Sequence, residues 1–285
     1  MQFTKLHGLG NSYIFVDLFS ESLENKSLSE LAVAVANPDT GIGSDGLILV
    51  GPSEAADVRM RIFNADGSEA MNCGNGVRAS AKLAYEKKRV LETSFTVETN
   101  GGIVTAFVHP DEQGMVHEVT VDMGKPKLNR QEIPLTAGGP ADEQHVNKSV
   151  QTSPVDEPFT AVGMGNPHAV IFVDDIAQAP VVEDGPKLEC ASFFPDRVNV
   201  EYIEMITPQE MNFKVWERGS GVTQACGTGA CAAVVAAVLN KQASFDEEVT
   251  VHLPGGDLHI RWNEMDRHVW MRGPAELICT GAYYL

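Results

Sequence analysis

Positive charge is scarce in this chain of 285 residues. Its 21 lysines and arginines stand against 39 aspartates and glutamates, which leaves a formal net charge of −18. This balance argues against nucleic acids and anionic membranes as partners, because nothing offsets the overall repulsion. A small anionic ligand is still compatible with it, since helix N-termini and single arginines act at short range inside a pocket.

Long apolar runs and cysteine patterns are also missing. No run approaches the ~18 apolar residues of a membrane span, and the first residues lack the basic and apolar segments of a secretory leader, so we expect neither. The five cysteines are scattered, and no C-x-x-C is present. We therefore expect no disulfide framework, no metal and a reducing, cytoplasmic environment.

What the chain does have is one tetrapeptide that occurs twice. Cys73-Gly74-Asn75-Gly76 and Cys226-Gly227-Thr228-Gly229 each open a stretch of small and apolar residues that predicts a helix. A cysteine at such a turn places its sulfur beside unpaired N–H groups at the positive end of a helix dipole. That position lowers the pKa of a thiol and binds anions. The pair predicts two thiols facing one anionic substrate.

The tetrapeptide is part of a longer duplication. Five matched segments follow one another in the same order in both halves, and the members of each pair lie 150 to 155 residues apart. They are GLGN with GMGN (Asn11 and Asn166, each followed by IFVD), RIFN with KVWE, Thr96-Val97 with Thr250-Val251, the two cysteine turns, and VTVDMGKP with VWMRGP. The duplication predicts two domains related by a pseudo-twofold axis, with equivalent residues facing a central cleft.

Local patterns predict a mixture of strands and helices, an α+β fold. Helices are expected over residues 28–36, 76–87 and 228–240, and strands over residues 3–8, 13–18, 94–99, 103–108 and 116–123. The third helix is apolar on every face, so we expect strands to surround it. The stretch 125–158 is rich in turn-forming residues, and we expect little of it to be buried.

We place the first domain at residues 1–118, completed by the C-terminal strand 275–285, and the second at 119–274.

Two opposed thiols can invert a carbon that bears a hydrogen: a thiolate removes the proton from one face while a thiol delivers another to the opposite face. The N–H groups that follow each cysteine would hold the carboxylate of the substrate.

The motifs GLGN, RIFNADGSEAMNCGNG, GNPH, RVNVEY and WERGSGVTQACGTGACAA together resemble the diaminopimelate epimerase family. The resemblance runs from the first residues to the last strand. It implies two similar domains, each a β-barrel-like mixed sheet around a central helix. It also implies a homodimeric, cofactor-independent isomerase that interconverts LL- and meso-2,6-diaminopimelate on the route to lysine and peptidoglycan.

The same resemblance assigns roles to individual residues. Cys73 is expected to donate the proton and Cys226 to accept it in the LL-to-meso direction. The substrate-binding positions are Asn11, Asn64, Gly74, Asn75, Asn166, Asn199, Glu217, Arg218, Gly227 and Thr228, and His168 and Glu217 are expected to tune the thiol pKa values. One departure is Gly46, where many members carry a glutamine that contacts the substrate.

Three alternatives accompany this interpretation. The chain could be a racemase of the same fold that acts on another amino acid, such as histidine or proline. It could be a carboxylate-binding protein with incidental thiols, or a disulfide oxidoreductase. The other three cysteines, Cys190, Cys231 and Cys279, are interpreted as small buried apolar residues.

Overall fold

A computed structural model describes residues 1–24, 26–71, 73–137 and 139–284. Asn72 of the NCGNG motif lies outside the described residues. The chain divides into two compact units, Met1–Asp122 with Arg272–Leu285 and Met123–Met271. In the part of the chain that is described, no helix is long and apolar enough to cross a membrane.

The helices and strands follow one another in nearly the same order in both units. The helices are α1 (Leu28–Ala36), α2 (Gly74–Glu86), α3 (Val181–Glu189) and α4 (Gly227–Leu239). The strands are β1 (Gln2–Gly8), β2 (Asn11–Asp17), β3 (Gly46–Gly51), β4 (Val58–Asn64), β5 (Glu69–Ala70), β6 (Ser94–Thr99), β7 (Gly102–Pro110), β8 (Val116–Asp122), β9 (Thr160–Gly163), β10 (Pro167–Phe172), β11 (Asn199–Thr207), β12 (Glu210–Glu217), β13 (Gly221–Val222), β14 (Glu248–Leu253), β15 (Gly256–Trp262), β16 (Val269–Pro274) and β17 (Glu276–Ala282).

The first unit is a mixed sheet that surrounds one helix. Strands β17, β1 and β2 pair antiparallel, β2 and β3 pair parallel, and β3 and β4 pair antiparallel. Strand β4 then pairs parallel with β6, which continues antiparallel through β7 to β8. Helix α2 packs against strands from both ends of this series, including β1, β3, β7 and β8. Its residues from Asn75 to Ala84 are consequently all buried.

The second unit repeats this pairing pattern. Strands β10 and β11 are parallel, β11 and β12 antiparallel, β12 and β14 parallel, and β14 and β15 antiparallel. Helix α4 packs against β9, β10, β11 and β15, and every residue from Gly229 to Val238 is buried. The prediction that strands surround this apolar helix is confirmed, as is the α+β class with a repeated architecture.

Most predicted elements lie where the sequence places them. Helix α1 has the predicted bounds, and β6 and β7 are joined by the two-residue turn at Asn100 and Gly101. The prediction for residues 125–158 is wrong. Ile133, Leu135, Val150 and Val155 belong to the core of the second unit, where they pack with Phe159 and its neighbours. Turn-rich composition describes the backbone of this segment, whereas its few apolar side chains are buried in the core.

Candidate active site

Each of the two repeated cysteines is the residue that caps a buried helix. Cys73 precedes α2 and Cys226 precedes α4, and both have extended backbones. The sulfur of Cys73 accepts a hydrogen bond from Gly76 N–H at 3.4 Å, and that of Cys226 accepts one from Gly229 N–H at 3.3 Å. The first N–H groups of a helix have no partner within the helix. Each sulfur therefore lies beside donors that can serve an anion.

In the first unit, amide side chains connect Cys73 to strand β2. Asn11 Oδ1 accepts a hydrogen bond from Asn75 Nδ2 at 3.1 Å and lies 3.9 Å from the sulfur of Cys73. The Nδ2 of Asn11 donates to Asp45 Oδ2 at 2.9 Å. Asn11, Cys73 and Asn75, which the sequence singles out separately, thus form one hydrogen-bonded group.

Two further side chains complete the surroundings of Cys73. Arg78, which is fully buried, donates from Nη2 to Asn75 Oδ1 at 2.8 Å and from Nε to the carbonyl of Pro274 at 3.2 Å. The hydroxyl of Tyr13 makes hydrogen bonds with Cys73 and Asn11. Burial, followed by the nearby thiol, raises the pKa of Tyr13. Tyr13 therefore stays protonated and can donate to the sulfur.

Asn64 lies at the end of β4, opposite Gly46 in the β3–β4 pairing. Its Nδ2 donates to Ser68 Oγ at 3.0 Å, and the side chain is partly exposed. Gly46 has a φ of +155°, and a Cβ atom at this position would lie 2.1 Å from the carbonyl oxygen of Phe63. The backbone here accommodates glycine only, so the glutamine that the family resemblance implies at this position has no room without a backbone shift.

In the second unit, carboxylates rather than amides surround the cysteine. Cys226 is almost fully buried, and its sulfur lies 3.6 Å from Thr228 Oγ1. The Glu217 carboxylate makes a hydrogen bond with Cys226 and also accepts one from Thr223 Oγ1. Glu217 is therefore in direct contact with the thiol that it is expected to tune.

A buried hydrogen bond between a histidine and a carboxyl group lies next to this group. His168 Nδ1 is 2.6 Å from Glu201 Oε1, and both side chains are completely inaccessible to solvent. His168 Nε2 is 2.8 Å from Asn166 Oδ1. A Cβ atom placed on Gly229 would lie 2.9 Å from Glu201 Oε1 and 3.1 Å from the sulfur of Cys226. The Glu201 carboxylate therefore approaches the first turn of α4 beside the cysteine.

Asn199 and Arg218 hold the loops of the second unit together. Asn199 is buried, and it donates from Nδ2 to the carbonyl of Pro167 at 2.9 Å while its Oδ1 accepts from the N–H of Arg218 at 3.0 Å. The exposed Arg218 donates from Nη1 to the carbonyl of Asp196 at 2.7 Å. Asn199 therefore fixes the backbone of Pro167 and that of Arg218, and the guanidinium of Arg218 lies near solvent.

The structure corrects the expected direction of the thiol pKa values. Burial raises the pKa of Cys73, and the hydrogen bonds from Gly76 and Asn75 N–H lower it by less. Burial raises the pKa of Cys226 well above its usual range, with further increases from Glu217 and Glu201. The helix N-terminus acts in the predicted direction, but desolvation of the thiolate is the larger effect. Burial therefore favours the protonated form of both thiols.

The remaining predictions divide between the units. Cys73, Gly74, Asn75 and Asn11 come together in the first unit, and Asn64, at the end of β4, bonds to Ser68 instead. The second unit brings together the rest, namely Asn166, His168, Asn199, Glu217, Arg218, Cys226, Gly227 and Thr228. The interpretation of the other cysteines as buried is right for Cys231 and wrong for Cys190 and Cys279, which are exposed at the end of α3 and on β17.

Sequence reasoning missed four side chains: Tyr13, Asp45, Arg78 and Glu201. The duplication contained a signal for one of them, because Tyr13 follows Asn11 by two residues just as His168 follows Asn166. Glu201 carried a different signal, an acidic residue within the apolar strand VNVEYI. Asp45 and Arg78 gave none, since single charged residues in a turn or helix are ordinarily solvated.

Known proteins match this chain across both units. A family model described as diaminopimelate epimerase matches residues 3–129 and 160–278. The diaminopimelate epimerase of Bacillus cereus is 56% identical over 281 residues, covering 99% of this chain and 96% of that protein.

Two solved structures share the fold. One is a phenazine biosynthesis protein of the PhzF family from Bacillus anthracis, with a TM-score of 0.68, 17% identity and coverage of 100% of this chain and 99% of that one. The other is a probable proline racemase from Agrobacterium radiobacter with bound carbonate, with a TM-score of 0.69, 12% identity and coverage of 100% and 93%. Given the family match in both halves and the identity over nearly the whole length, this chain is an isomerase that belongs to the diaminopimelate epimerase family.

Proposed function

We propose that this chain interconverts LL- and meso-2,6-diaminopimelate without a cofactor, in the cytoplasm, as a step toward lysine and peptidoglycan precursors. The observation that carries the proposal is the pair of cysteines that cap α2 and α4, each with its sulfur against the N–H three residues further on. Membership of the family selects diaminopimelate as the substrate.

In the LL-to-meso direction, Cys226 as thiolate removes the α-proton from one face of the substrate carbon. Cys73 as thiol delivers its proton to the opposite face, so that the configuration inverts and no net proton is consumed. The turnover leaves Cys226 protonated and Cys73 ionised, and proton exchange with water restores the starting state. The roles are reversed in the meso-to-LL direction.

The α-carboxylate of the substrate would bind to the N–H groups of Gly74, Asn75, Gly227 and Thr228. Removal of the α-proton places negative charge on this carboxylate, and preorganised N–H donors stabilise that charge in the transition state. The helix N-termini add a favourable partial charge at the same place.

The distal amino-acid end of diaminopimelate would be held by Asn11, Asn64, Asn166, Asn199 and Arg218, with Glu217 near the reacting centre. Partial exposure of Asn64 and Asn166 and the exposed guanidinium of Arg218 support this assignment. Asn199, whose two amide atoms both bind backbone, would contribute mainly by fixing Arg218 and Pro167.

Because burial raises the pKa of Cys226, its ionisation has to be favoured by the bound substrate. The α-ammonium group of the substrate brings a positive charge, which favours a nearby thiolate. His168 and Glu217 would set how readily the proton leaves.

The direct test is incubation of the purified protein with LL-diaminopimelate in D2O under reducing conditions, followed by NMR and chiral chromatography. We expect deuterium at one α-carbon and formation of the meso isomer without any added cofactor. Exchange with proline or histidine instead would identify a racemase of the same fold. Binding without any exchange would leave only a carboxylate-binding protein.

The two-base mechanism is tested by replacing each cysteine separately. Cys73→Ala and Cys226→Ala should each abolish epimerisation, whereas Cys190→Ala, at an exposed cysteine, should retain it. If either of the first two variants kept near-normal turnover, the second proton-transfer residue would have to be sought elsewhere. The same experiment excludes disulfide exchange as the activity if turnover is unaffected by excess reductant.

We also propose that the chain forms a homodimer through β17. The first five residues of this strand are exposed, and they include Leu277 and Ile278 at 51% and 48% of their full accessibility. Adjacent exposed aliphatic side chains are typical of an interface. Light scattering should give the mass of a dimer, and Ile278→Glu should reduce it to that of a monomer. A monomeric wild-type protein would contradict this assignment.

A further inference from the structure

Glu189, the last residue of α3, is a buried carboxylate that the proposed mechanism does not use. Its Oε1 accepts a hydrogen bond from the N–H of Gly219 at 2.9 Å, and its Oε2 accepts one from Trp216 Nε1 at 2.7 Å. Arg197 adds a third donor, with Nη1 at 3.3 Å from Oε1. A backbone amide, an indole and a guanidinium can only donate, so the carboxylate is the acceptor in all three bonds.

These hydrogen bonds keep the carboxylate ionised. Burial acts to raise the pKa of Glu189, but the bonds from Trp216, Gly219 and Arg197 together outweigh burial and lower that pKa. A charged group is tolerated in a buried place when it is hydrogen-bonded in this way. Glu189 therefore offers one oxygen to strand β12, through Trp216, and the other to the turn that follows β12, through Gly219.

The turn that Glu189 holds contains Arg218 and joins β12 to β13. The N–H of Arg218 donates to Asn199 Oδ1 at 3.0 Å, and the next N–H along the chain, that of Gly219, donates to Glu189. The backbone that carries the guanidinium is thus fixed at two consecutive N–H groups, by side chains from two different elements.

The turn has few other means of keeping a single shape. Gly219 and Gly221 have φ angles of +79° and +75°. No described atom lies within 4 Å of the position that a Cβ on Gly219 would take. Glycine without packed neighbours has wide conformational freedom. Hydrogen bonds from outside the turn therefore determine the position of Arg218.

The first unit also ties the matching turn to a helix. The turn after Asn64 contains Gly67, whose carbonyl accepts a hydrogen bond from Ser29 Oγ on α1 at 2.7 Å. Asn64 and Glu217 are matched positions of the duplication, and each is followed by one of these turns. Both repeats therefore anchor the turn to a helix, with a neutral hydroxyl in the first unit and a carboxylate in the second.

We propose that Glu189 is a positioning residue for substrate binding, which holds the turn at Gly219 so that the guanidinium of Arg218 is presented to a carboxylate of the substrate. The inference rests on the proposed function, in which Arg218 binds the distal end of the substrate. Glu189 acts through the turn and does not itself touch the substrate.

The first test measures the turn without any substrate. Glu189→Met keeps the length of the side chain and removes both acceptor oxygens. We expect hydrogen exchange at the Gly219 N–H, followed by NMR, to be at least about tenfold faster than in the wild-type protein. The indole N–H signal of Trp216, identified with Trp216→Phe, should also shift. Glu183→Gln is the matched control, because Glu183 is exposed on the same helix, and it should alter neither measurement.

Unchanged exchange at Gly219 in folded Glu189→Met would overturn the inference. If Glu189→Met does not fold, Glu189→Gln takes its place, because it keeps one acceptor oxygen for the two donors. Either the exchange at Gly219 or the indole signal of Trp216 should then change. No change in either of them would equally overturn the inference.

The second test asks whether Glu189 acts through Arg218, with LL-diaminopimelate as the substrate. Glu189→Met should raise KM about tenfold, with a smaller effect on kcat. In an Arg218→Met background the same substitution should change KM by less than about twofold, because the group that it positions is already absent. Equal increases in the two backgrounds would show a general effect on the protein and would overturn the inference.

The two proposals can fail separately. If the wild-type protein did not epimerise diaminopimelate at all, the proposed function would fail. Exchange at Gly219 would still decide whether Glu189 holds the turn that carries Arg218.

Discussion

Ile48 and Glu201 occupy equivalent positions in the two repeats, each against the glycine that follows the N-cap cysteine by three residues. Tyr13 and His168 form a second such pair, each two residues after the matched asparagine. The repeats therefore share a backbone design and differ in charge. Around Cys73 the groups are amides, a phenol and a buried arginine, whereas around Cys226 they are two carboxylates and an imidazole. This difference predicts unequal behaviour of the two thiols.

The first prediction concerns their reactivity. Because burial raises both pKa values, and because Glu217 and Glu201 raise that of Cys226 further, alkylation by iodoacetamide at pH 7 should be slower at Cys73 than at the exposed Cys190, and slowest at Cys226. The alkylation rates at Cys73 and Cys226 should increase as the pH rises toward their pKa values. Mass spectrometry of the peptides measures each site. Faster labelling of Cys226 than of Cys190 at pH 7 would contradict the assigned direction.

The second prediction isolates the Glu217 carboxylate. Glu217→Gln removes a negative charge that raises the pKa of Cys226, so the thiolate fraction at a given pH should increase. Alkylation of Cys226 at pH 8 should be faster by about tenfold for each unit by which the pKa falls. Glu210→Gln on the same strand, where Glu210 pairs with His252, is the control and should not alter the rate. An unchanged rate in Glu217→Gln would show that Glu217 does not contribute to the raised pKa of Cys226.

The third prediction concerns Arg78, which supports Asn75 from inside α2. Arg78→Met leaves Asn75 Oδ1 without its donor, so we expect a loss of about 2 kcal/mol in the free energy of unfolding, together with a higher KM. Urea denaturation and initial rates measure the two effects. Arg59→Met is the control, since Arg59 is half exposed and pairs loosely with Glu98 at 3.8 Å, and it should change stability by less than about 1 kcal/mol. Equal effects of the two substitutions would contradict the assigned role.

The fourth prediction concerns Gly46, where the family resemblance implies a glutamine. Gly46→Gln should not restore a substrate contact, because its Cβ would lie 2.1 Å from the Phe63 carbonyl oxygen. We expect a loss of at least about 2 kcal/mol from the clash and the positive φ together. Gly102→Gln separates the two causes, since Gly102 has a φ of +125° and nothing near its Cβ position. That variant should lose only about 1 kcal/mol. Thermal unfolding compares them, and a stable, tighter-binding Gly46→Gln would overturn the prediction.

Several features of this protein could be predicted from the sequence because they depend on local or periodic patterns. The bounds of α1, the turn at Asn100 and Gly101, and the cysteine caps of α2 and α4 follow from helix and turn chemistry. The burial of α4 follows from its apolar residues on every face. The duplication extended these predictions to the order of strands in both units, since the same pattern of side chains packs in the same way twice.

Other features depend on which side chains the tertiary structure buries together. The helix N-termini predict lowered thiol pKa values, yet desolvation outweighs them, and the degree of burial is set by packing across many strands. The segment 125–158 has the composition of an exposed connection, but a few apolar residues spaced along it complete the core of the second unit. The roles of Arg78 and Glu201 arise only when β10, β11 and the helices bring distant residues within hydrogen-bonding distance. The repeat, the capped helices and the two thiols can be read from the sequence because they are local features. The charge around each thiol depends on folding, because electrostatic interactions depend on distance and on the exclusion of water.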